Sequence, residues 1–254
     1  MSVTHRVTTP KARPHVTEVL PPTATGQQTP AGLTGTERDV AKRVASRIVA
    51  ASHGERVLQI GCGNALLTAE LAAHFPKLEV VEESPGLAQQ ARSIIRQAER
   101  VYFGSYLNYQ PKVTYDVIVI AWMLERIGDP NGLLARARQW LAPGGQIYLV
   151  VPNSESLHRR IGARMGLLER PDLLGRSDLA AGHVRVYTWD TLSEVIFAAG
   201  LRVVSMEGLL LRPLPNALME SWPTDLRSAF FDLSYCAPRL CSEILAVCGH
   251  PESA

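Results

Sequence analysis

Two closely spaced glycines stand in the stretch VLQIGCGNALL, where an apolar segment gives way to a helical one. Gly61 follows the predicted strand 56–60, Gly63 comes shortly after it, and helix-forming residues begin by Ala65. Glycines at a strand-to-helix turn let the backbone approach a ligand closely, and the first N–H groups of the helix are free to bind it. The turn therefore predicts a ligand site at Gly61, Cys62 and Gly63, although glycine pairs also occur in turns that bind nothing.

A carboxylate downstream adds to this signal. Glu82 ends the predicted strand 78–82, at about the 20-residue spacing typical of nucleotide-binding folds. In a doubly wound sheet this position faces the ligand crevice, where a carboxylate can accept hydrogen bonds from both hydroxyls of a ribose. We place the adjacent Glu83 at the cofactor as well; the alternative for both acids, more fitting for Glu83, is that they cap the next helix. Together the turn and the carboxylate indicate a nucleoside-containing cofactor.

Strand and helix patterns alternate along the chain, which is typical of a parallel sheet covered on both faces. Strands are predicted at 56–60, 78–82, 100–103, 116–120 and 146–151. Helical apolar stripes are predicted within 37–51, 87–95, 133–141 and 192–199. Two later apolar runs, 201–206 and 208–211, predict a closing hairpin. The predicted fold is α/β, Rossmann-like and doubly wound, with a mostly parallel seven-stranded sheet that ends in an antiparallel hairpin.

The chain divides into three parts. Residues 1–34 are rich in Thr and Pro and predict a disordered tail, or alternatively a lid that becomes ordered over a ligand. Residues 35–212 carry the alternating pattern of strands and helices and form the predicted main domain. Residues 213–254 are predicted to form a helical extension, whose aromatic side chains would shape a substrate pocket or the surface of a homodimer.

Composition limits the classes of partner. The chain has 254 residues, and its 26 Lys and Arg against 24 Asp and Glu are scattered, which argues against a nucleic-acid partner. The four cysteines include no CxxC pair, so we expect reduced thiols and no metal. No apolar run reaches the roughly 18 residues of a membrane helix, so we expect no membrane insertion and a cytoplasmic location.

Five segments in a fixed order resemble the class I S-adenosylmethionine-dependent methyltransferases, a group that includes the ubiquinone-biosynthesis methyltransferases and many natural-product enzymes. The segments are GCGNA, VEESPGLAQQAR, YDVIVIAWMLERIGDP, LAPGGQIYLVVPN, and GHVRVYT followed by AAGLRV, and the resemblance covers roughly 37–212. It implies S-adenosylmethionine as the methyl donor and a small-molecule O- or N-acceptor, in a biosynthetic pathway.

The resemblance also implies roles for individual cofactor-site residues. Gly61 and Gly63 would lie beside the methionine moiety, and Glu82 would bind the ribose. Ser105 falls where the family contacts adenine, and Ala121 would lie beside the methionine portion at the end of the fourth strand.

Three residues depart from the family pattern. Gln59 stands where an acidic residue usually precedes the first glycine, and Ala65 replaces the usual third glycine. These two departures predict weakened or altered cofactor binding rather than none. Arg126 stands where histidine is frequent; if that histidine is a base in relatives, this chain has moved the role elsewhere or does not need one.

The acceptor side is predicted from a second motif. His183, Arg185 and Tyr187 alternate in GHVRVYT, so that in a strand they would point to one side. His183 is our candidate for a general base if the acceptor is a hydroxyl, because imidazole titrates near neutral pH. The alternative is a polar edge or a hydrogen-bonded buried histidine. The other predicted substrate contacts are Trp122 and Arg126, just past the fourth strand. The alternative for Trp122 is a residue that only fills the core.

Three function classes follow. The first is a small-molecule methyltransferase, and the second is a cofactor-binding relative with weak or no catalysis that acts as a regulatory or partner subunit. The third is a nicotinamide oxidoreductase, which is disfavoured because Leu66 occupies the third glycine position of the GxGxxG pattern.

Overall fold

The computed structural model describes residues 34–95, 97 and 100–251. The predicted tail lies outside this part of the chain, apart from Thr34. The strands are β1 (Arg56–Ile60), β2 (Lys77–Glu82), β3 (Val101–Phe103), β4 (Tyr115–Ala121), β5 (Leu141–Pro152), β6 (Arg202–Leu209) and β7 (Glu243–Gly249). The helices are α1 (Gly35–Ala51), α2 (Leu66–His74), α3 (Pro85–Ile94), α4 (Pro130–Trp140), α5 (Leu157–Arg164), α6 (Arg176–Ala180), α7 (Trp189–Ala198), α8 (Asn216–Met219) and α9 (Thr224–Asp232).

The strands form one seven-stranded sheet in the order β3-β2-β1-β4-β5-β7-β6. The first five strands in this order are parallel, while β7 pairs antiparallel with both β5 and β6. The strand order reverses between β1 and β4, where the carboxyl ends of the strands form the ligand crevice of doubly wound sheets. The predicted α/β, Rossmann-like fold with a closing antiparallel pair is confirmed.

The members of the closing pair differ from the prediction. The runs 201–206 and 208–211 do not turn back on each other, because β6 continues through Gly208, which pairs with Ile244. A Cβ at Gly208 would lie 2.1 Å from the carbonyl oxygen of Pro238, so this glycine permits close packing rather than a turn. The partner strand β7 comes from 213–254, the segment predicted to be a helical extension; α8 and α9 are helical, but 243–249 complete the sheet.

Helices cover both faces of the sheet. Side chains of α1, α2 and α3 pack on one face, against Val57, Val80 and Val117 among others. Side chains of α4 and α7 pack on the other, against Leu58 and Ile118 among others. Successive side chains of β1 and of β4 therefore point to opposite faces of the sheet and are buried on both, as expected for strands covered by helices on each side.

Local sequence signals start two of the helices. The Asp129 carboxylate accepts from the Gly132 N–H at 2.8 Å and caps α4, and Pro130 occupies the first turn. Thr188 caps α7 by accepting from the Thr191 N–H at 3.1 Å. These caps fix the two helices that follow the carboxyl-edge loops, and so help to set the path of those loops.

Candidate active site

The glycine-rich loop between β1 and α2 has the backbone conformation that its sequence predicts. Gly61 (φ 75°) and Gly63 (φ 51°) are both in the left-handed region, which a residue with a side chain adopts only at a cost. No heavy atom lies within 4 Å of a Cβ built on Gly63, so the loop is open on that side. Ala65 is also left-handed (φ 61°), although it carries a side chain. The third position of the loop therefore keeps the glycine conformation without the glycine.

Glu82 joins the end of β2 to this loop. One carboxylate oxygen accepts from the Cys62 N–H at 2.8 Å and from the Cys62 thiol at 3.3 Å, and the other accepts from the Ser84 N–H at 2.9 Å. Burial, followed by the charge of Glu82, raises the pKa of the Cys62 thiol, so Cys62 is an uncharged donor here. Glu82 is buried, whereas the side chain of Glu83 is exposed.

Gln59 lies just below the loop, where relatives carry an acid. Its side-chain amide nitrogen donates to the Gly61 carbonyl at 3.2 Å, and its buried amide oxygen has no hydrogen-bond partner among the described residues. The substitution therefore keeps a contact to the loop and leaves one buried acceptor available.

The predicted adenine and methionine contacts lie at the ends of the neighbouring strands. Ser105 follows β3 and its hydroxyl accepts from the Leu107 N–H at 3.3 Å, while the Gly104 N–H donates to the Glu82 carbonyl at 2.9 Å. Ala121 is the last residue of β4 and is partly exposed. The carboxyl ends of β1, β2, β3 and β4 thus bring all the predicted cofactor residues to one edge of the sheet.

Trp122 follows Ala121 with a left-handed backbone (φ 52°), an uncommon conformation for a large residue. Its backbone N–H donates to the Val150 carbonyl at 2.8 Å, and its indole N–H donates to the carboxylate of Glu243 at 3.0 Å. Glu243 opens β7 and is buried. The indole is therefore held across the carboxyl edge by an acid that our sequence analysis did not identify.

The motif GHVRVYT does not form the predicted strand. Only Tyr187 pairs with a neighbour, as an isolated bridge to Asn153. The segment runs instead beside the loop after β4, where the Arg185 guanidinium donates to the carbonyls of Leu124 (2.8 Å), Gly128 (3.0 Å) and Ile127.

Tyr187 reaches the same loop, since its hydroxyl donates to the Leu124 carbonyl at 3.3 Å and its side chain is buried. The side chains of Arg185 and Tyr187 thus contact one segment, although the motif is not the predicted strand. The contacts of Arg185 and Tyr187 are to backbone carbonyls, which supports a role in positioning the loop; their contact with an acceptor stays a prediction.

His183 lies between two carboxylates. Its Nδ1 atom is 3.7 Å from Asp178 and its Nε2 atom is 4.0 Å from Glu125, and only 10% of the side chain is exposed. Asp178 is held by Arg159 at 2.8 Å and by the Gly175 N–H at 2.7 Å. Burial alone would raise the pKa of Asp178, but His183, the Gly175 N–H and Arg159 lower it, so it stays ionised. The buried Nδ1 atom of His183 has no hydrogen-bond partner among the described residues, and its second nitrogen faces Glu125.

Glu125 is the second functional candidate that the sequence analysis did not identify. It is 1% exposed, and neither carboxylate oxygen has a hydrogen-bond donor among the described residues. Burial raises its pKa to about 7, an effect that its own backbone N–H, His183 and Arg126 oppose. The only signal in the sequence is its place beside Arg126 in the LERI segment after β4.

Arg126 links the loop after β4 to the segment that covers Glu125. It donates to the Trp122 carbonyl at 3.2 Å and to the carbonyl of Ala181, and 45% of its side chain is exposed. The Val184 N–H in turn donates to the Glu125 carbonyl at 2.8 Å. Arg126 thus replaces the frequent histidine with a longer side chain that reaches the covering segment.

Arg212 and His158 form a further contact near Glu243. Arg212 Nη2 lies 2.7 Å from His158 Nε2, and Nη1 donates to the Asn216 side chain at 2.6 Å. Burial, with the charges of Arg212 and Arg159, lowers the pKa of His158 to about 2, so the imidazole is neutral and can accept from Arg212. Across residues 34–95, 97 and 100–251 no cluster of three or more His, Cys, Asp or Glu could hold a metal.

The chain is similar to known methyltransferases. The sequence matches the family described as "Methyltransferase domain" over residues 35–206. Two curated relatives are ubiquinone biosynthesis O-methyltransferases. The protein from Idiomarina loihiensis is 26% identical over 183 residues, 68% of this chain and 72% of the relative. The protein from Aeromonas salmonicida is 28% identical over 172 residues, 64% of this chain and 69% of the relative.

Solved structures share the fold. The CcbJ methyltransferase from Streptomyces caelestis superposes with a TM-score of 0.58 at 16% identity, over 89% of this chain and 99% of that one. The N-methyltransferase NodS from Bradyrhizobium japonicum, in complex with S-adenosylhomocysteine, gives a TM-score of 0.56 at 16% identity, over 86% and 89%. None of the helices in the described part of this chain has the length and apolar character needed to cross a membrane.

Proposed function

The chain belongs to the class I S-adenosylmethionine-dependent methyltransferases, and from that premise we propose that it methylates an oxygen or nitrogen atom of a small-molecule acceptor in a biosynthetic pathway. The observation that carries this proposal is the link between Glu82 and the glycine-rich loop at the switch point of the sheet. The relatives from Idiomarina loihiensis and Aeromonas salmonicida are named for ubiquinone biosynthesis, which supports a small-molecule acceptor.

The residues at the carboxyl edge fit S-adenosylmethionine. Gly61 and Gly63 form the turn of the loop, which has open space for a ligand beside Gly63, and Gln59 offers a buried acceptor without a partner among the described residues. Glu82 would exchange part of its contact with the loop for the ribose hydroxyls, with Cys62 and Glu83 beside it. Ser105 and Ala121 would complete the site at the ends of β3 and β4.

When bound, S-adenosylmethionine supplies a methyl group on a positively charged sulfur, which is already a good electrophile. The protein then has mainly to hold the acceptor in line and exclude water, and positioning alone can supply effective concentrations of about 10⁵ to 10⁸ M. The loop after β4, fixed by Arg185 and Tyr187, carries Trp122 to the acceptor side of the edge. The segment that includes His183 covers this loop at Glu125.

His183 is the proposed proton acceptor if the acceptor is a hydroxyl. Its Nδ1 atom lies 3.7 Å from Asp178, which is itself held by Arg159 at 2.8 Å, so a small shift would let this carboxylate orient the imidazole. Trp122 and Arg126 are proposed to contact the acceptor from the loop after β4. A homodimer built on the 213–254 region remains a further proposal that oligomer measurements would address.

The experiment that tests this function has two steps. Binding of radiolabelled S-adenosylmethionine to the purified full chain should be saturable and should be displaced by S-adenosylhomocysteine but not by NAD. Incubation with a panel of hydroxyl and amine metabolites should then transfer the label to an acceptor. Absence of saturable binding would contradict the proposal, and binding without transfer across a broad panel would favour a regulatory relative.

A further inference from the structure

Three buried carboxylates lie around His183 and Trp122, and they differ in their partners. Asp178 is hydrogen-bonded to the Arg159 guanidinium at 2.8 and 3.0 Å. Glu243 accepts from the Trp122 indole at 3.0 Å. Burial raises the pKa of Glu243, and the positive charge of Arg212 opposes that rise. Each of these two acids therefore has a cation that offsets its charge.

Glu125 has cations only at the limit of an ion pair. The Arg126 Nε and His183 Nε2 atoms lie 3.9 and 4.0 Å away, and 45% of the Arg126 side chain is exposed, so its charge is partly screened. Both Glu125 oxygens are buried and have no hydrogen-bond donor among the described residues. Buried polar groups in proteins are normally satisfied. The site therefore has two acceptor atoms without a donor and a carboxylate whose charge is only weakly offset.

We propose that Glu125 binds the amino group of the acceptor, and that the enzyme is therefore an N-methyltransferase acting on a primary or secondary amine. This inference rests on the proposed function and narrows its acceptor class. An ammonium group supplies the positive charge and the several N–H donors that Glu125 lacks, whereas a neutral hydroxyl supplies one donor and no charge.

Trp122 favours the same acceptor. Its indole N–H is fixed on Glu243 and its backbone holds an uncommon left-handed conformation, which is characteristic of residues whose position matters for function. The face of an indole attracts ammonium groups. Glu125 and Trp122, both in the loop after β4, thus supply a carboxylate and an aromatic ring, two groups that bind amines.

The reaction requires Glu125 to take a proton as well as to bind. A protonated amine has no free electron pair, so one N–H proton passes to a Glu125 oxygen, leaving a neutral amine and a neutral carboxylic acid. Burial places the pKa of Glu125 at about 7, close to the working pH, where such a transfer is readily reversible. The freed electron pair of nitrogen then forms the bond to the methyl carbon as the carbon–sulfur bond breaks, and the electrons of that bond remain on sulfur. The Glu125 proton is later released to water.

The segment 181–184 covers Glu125. Val184 donates to the Glu125 carbonyl at 2.8 Å, and Arg126 reaches the carbonyl of Ala181. Because both Glu125 oxygens are buried, the proposal requires this segment to move aside when an amine binds.

The test uses the full chain in complex with S-adenosylhomocysteine and pairs of probes that share one skeleton: butylamine with butanol, and phenethylamine with phenethyl alcohol. Affinities are measured by calorimetry and by saturation-transfer NMR at neutral pH. The variants are Glu125→Gln and, as a second uncharged replacement, Glu125→Met. The control is Glu207→Gln, because Glu207 is a partly buried acid that pairs with Arg47 at 3.3 Å, outside the cluster.

We expect the wild type to bind the amine of a pair about 10- to 100-fold more tightly than the alcohol, the range that one charge-assisted hydrogen bond supplies. The preference should disappear in both Glu125 variants and persist in Glu207→Gln. Equal binding of amine and alcohol, binding of neither, or a preference that survives in a Glu125 variant that still binds S-adenosylhomocysteine would overturn the amine proposal alone. If the wild type does not bind S-adenosylhomocysteine, the proposed function fails too.

Discussion

The carboxylate of Glu82 accepts a hydrogen bond from the backbone N–H of Cys62 at 2.8 Å, across the gap between β2 and the loop that follows β1. The same side chain accepts from the Ser84 N–H, so it fixes the start of the loop before α3 as well. A group that shapes the glycine-rich loop from the next strand prepares the cofactor site in the absence of a ligand. Its removal should therefore affect ligand affinity more than overall stability.

We predict that Glu82→Ala weakens S-adenosylmethionine binding by about 2 to 4 kcal/mol, because it removes charge-assisted hydrogen bonds to the ribose and to the loop. Calorimetry measures the affinity. Glu83→Ala is the matched control, since Glu83 is the exposed neighbour of Glu82 and its loss should have a smaller effect. Unchanged affinity in a folded Glu82→Ala protein would remove Glu82 from the cofactor site.

The left-handed Ala65 offers a second prediction. A residue with a Cβ pays about 1 to 2 kcal/mol in this conformation, more than the roughly 0.5 to 1 kcal/mol of extra chain entropy that glycine loses on folding. Ala65→Gly should therefore raise the free energy of unfolding by about 0.5 to 1 kcal/mol, as measured by urea denaturation. Ala69→Gly, in the interior of α2, should instead lower it by about 1 kcal/mol. A loss of stability in Ala65→Gly would show that the methyl group packs better than its backbone is strained.

Glu125 should make stability depend on pH. Its pKa is about 7 in the folded protein against 4.5 for an ordinary glutamate, so the folded state holds the extra proton between these values and loses stability as the pH rises through them. Glu125→Gln should stabilise the protein by about 3 kcal/mol well above pH 7 and have little effect near pH 4.5. Urea denaturation across this range measures it, with Glu83→Gln as the exposed control. A stability change that is the same at every pH would mean that Glu125 does not titrate in this interval.

His158 should make the free energy of unfolding depend on pH in the opposite direction. Burial and the neighbouring charges of Arg212 and Arg159 lower its pKa from 6.5 to about 2, so the unfolded chain takes up a proton that the folded protein refuses. The contribution of this residue is complete above pH 6.5 and falls by about 1.4 kcal/mol per pH unit below it. His158→Gln should flatten the acid limb by that amount, whereas replacement of the exposed His74 should not. An unchanged acid limb in His158→Gln would show that the imidazole is protonated in the fold.

His183 can be separated from Glu125 by kinetics once an acceptor is identified. If His183 is the base, His183→Ala should lower turnover by about 10² to 10⁴ while cofactor affinity stays the same. If it only positions the acceptor, the Michaelis constant should rise with a smaller effect on turnover. Wild-type values for both constants would exclude His183 from the site and leave the proton to Glu125.

The cofactor side of this site could be predicted because its signals are local. The conformation of Gly61 and Gly63 follows from the turn they occupy, and the place of Glu82 follows from the spacing between two adjacent parallel strands. Each inference involves residues that are near in sequence or linked by one strand pairing. Hydrophobic periodicity fixes such pairings, since a slip of one residue would expose the buried side of a strand.

The acceptor side depends on segments that are far apart in the chain. Glu125 lies after β4, its covering segment lies before α7, and Glu243 comes from β7. The apolar run 244–248 has the composition of a buried strand, but a sequence alone does not say which run pairs with which. The runs 201–206 and 208–211 are adjacent, and adjacency favours a hairpin, so the true partner was not predicted. The lack of a hydrogen-bond donor for Glu125 becomes visible only when the positions of these three segments in the fold are known.

The position of β7 also dictates the order in which the chain can be assembled. The parallel half of the sheet can form as soon as β5 has been synthesised, but β5 and β6 are not neighbours and each pairs with β7. Until Gly249 has left the ribosome, both strands expose unpaired backbone edges, and Trp122 lacks the Glu243 carboxylate. Docking of β7 is thus a late, long-range step of folding that also completes the acceptor side. A nascent chain that stalls before this step has the cofactor loop but lacks the Glu243 carboxylate that holds the Trp122 indole.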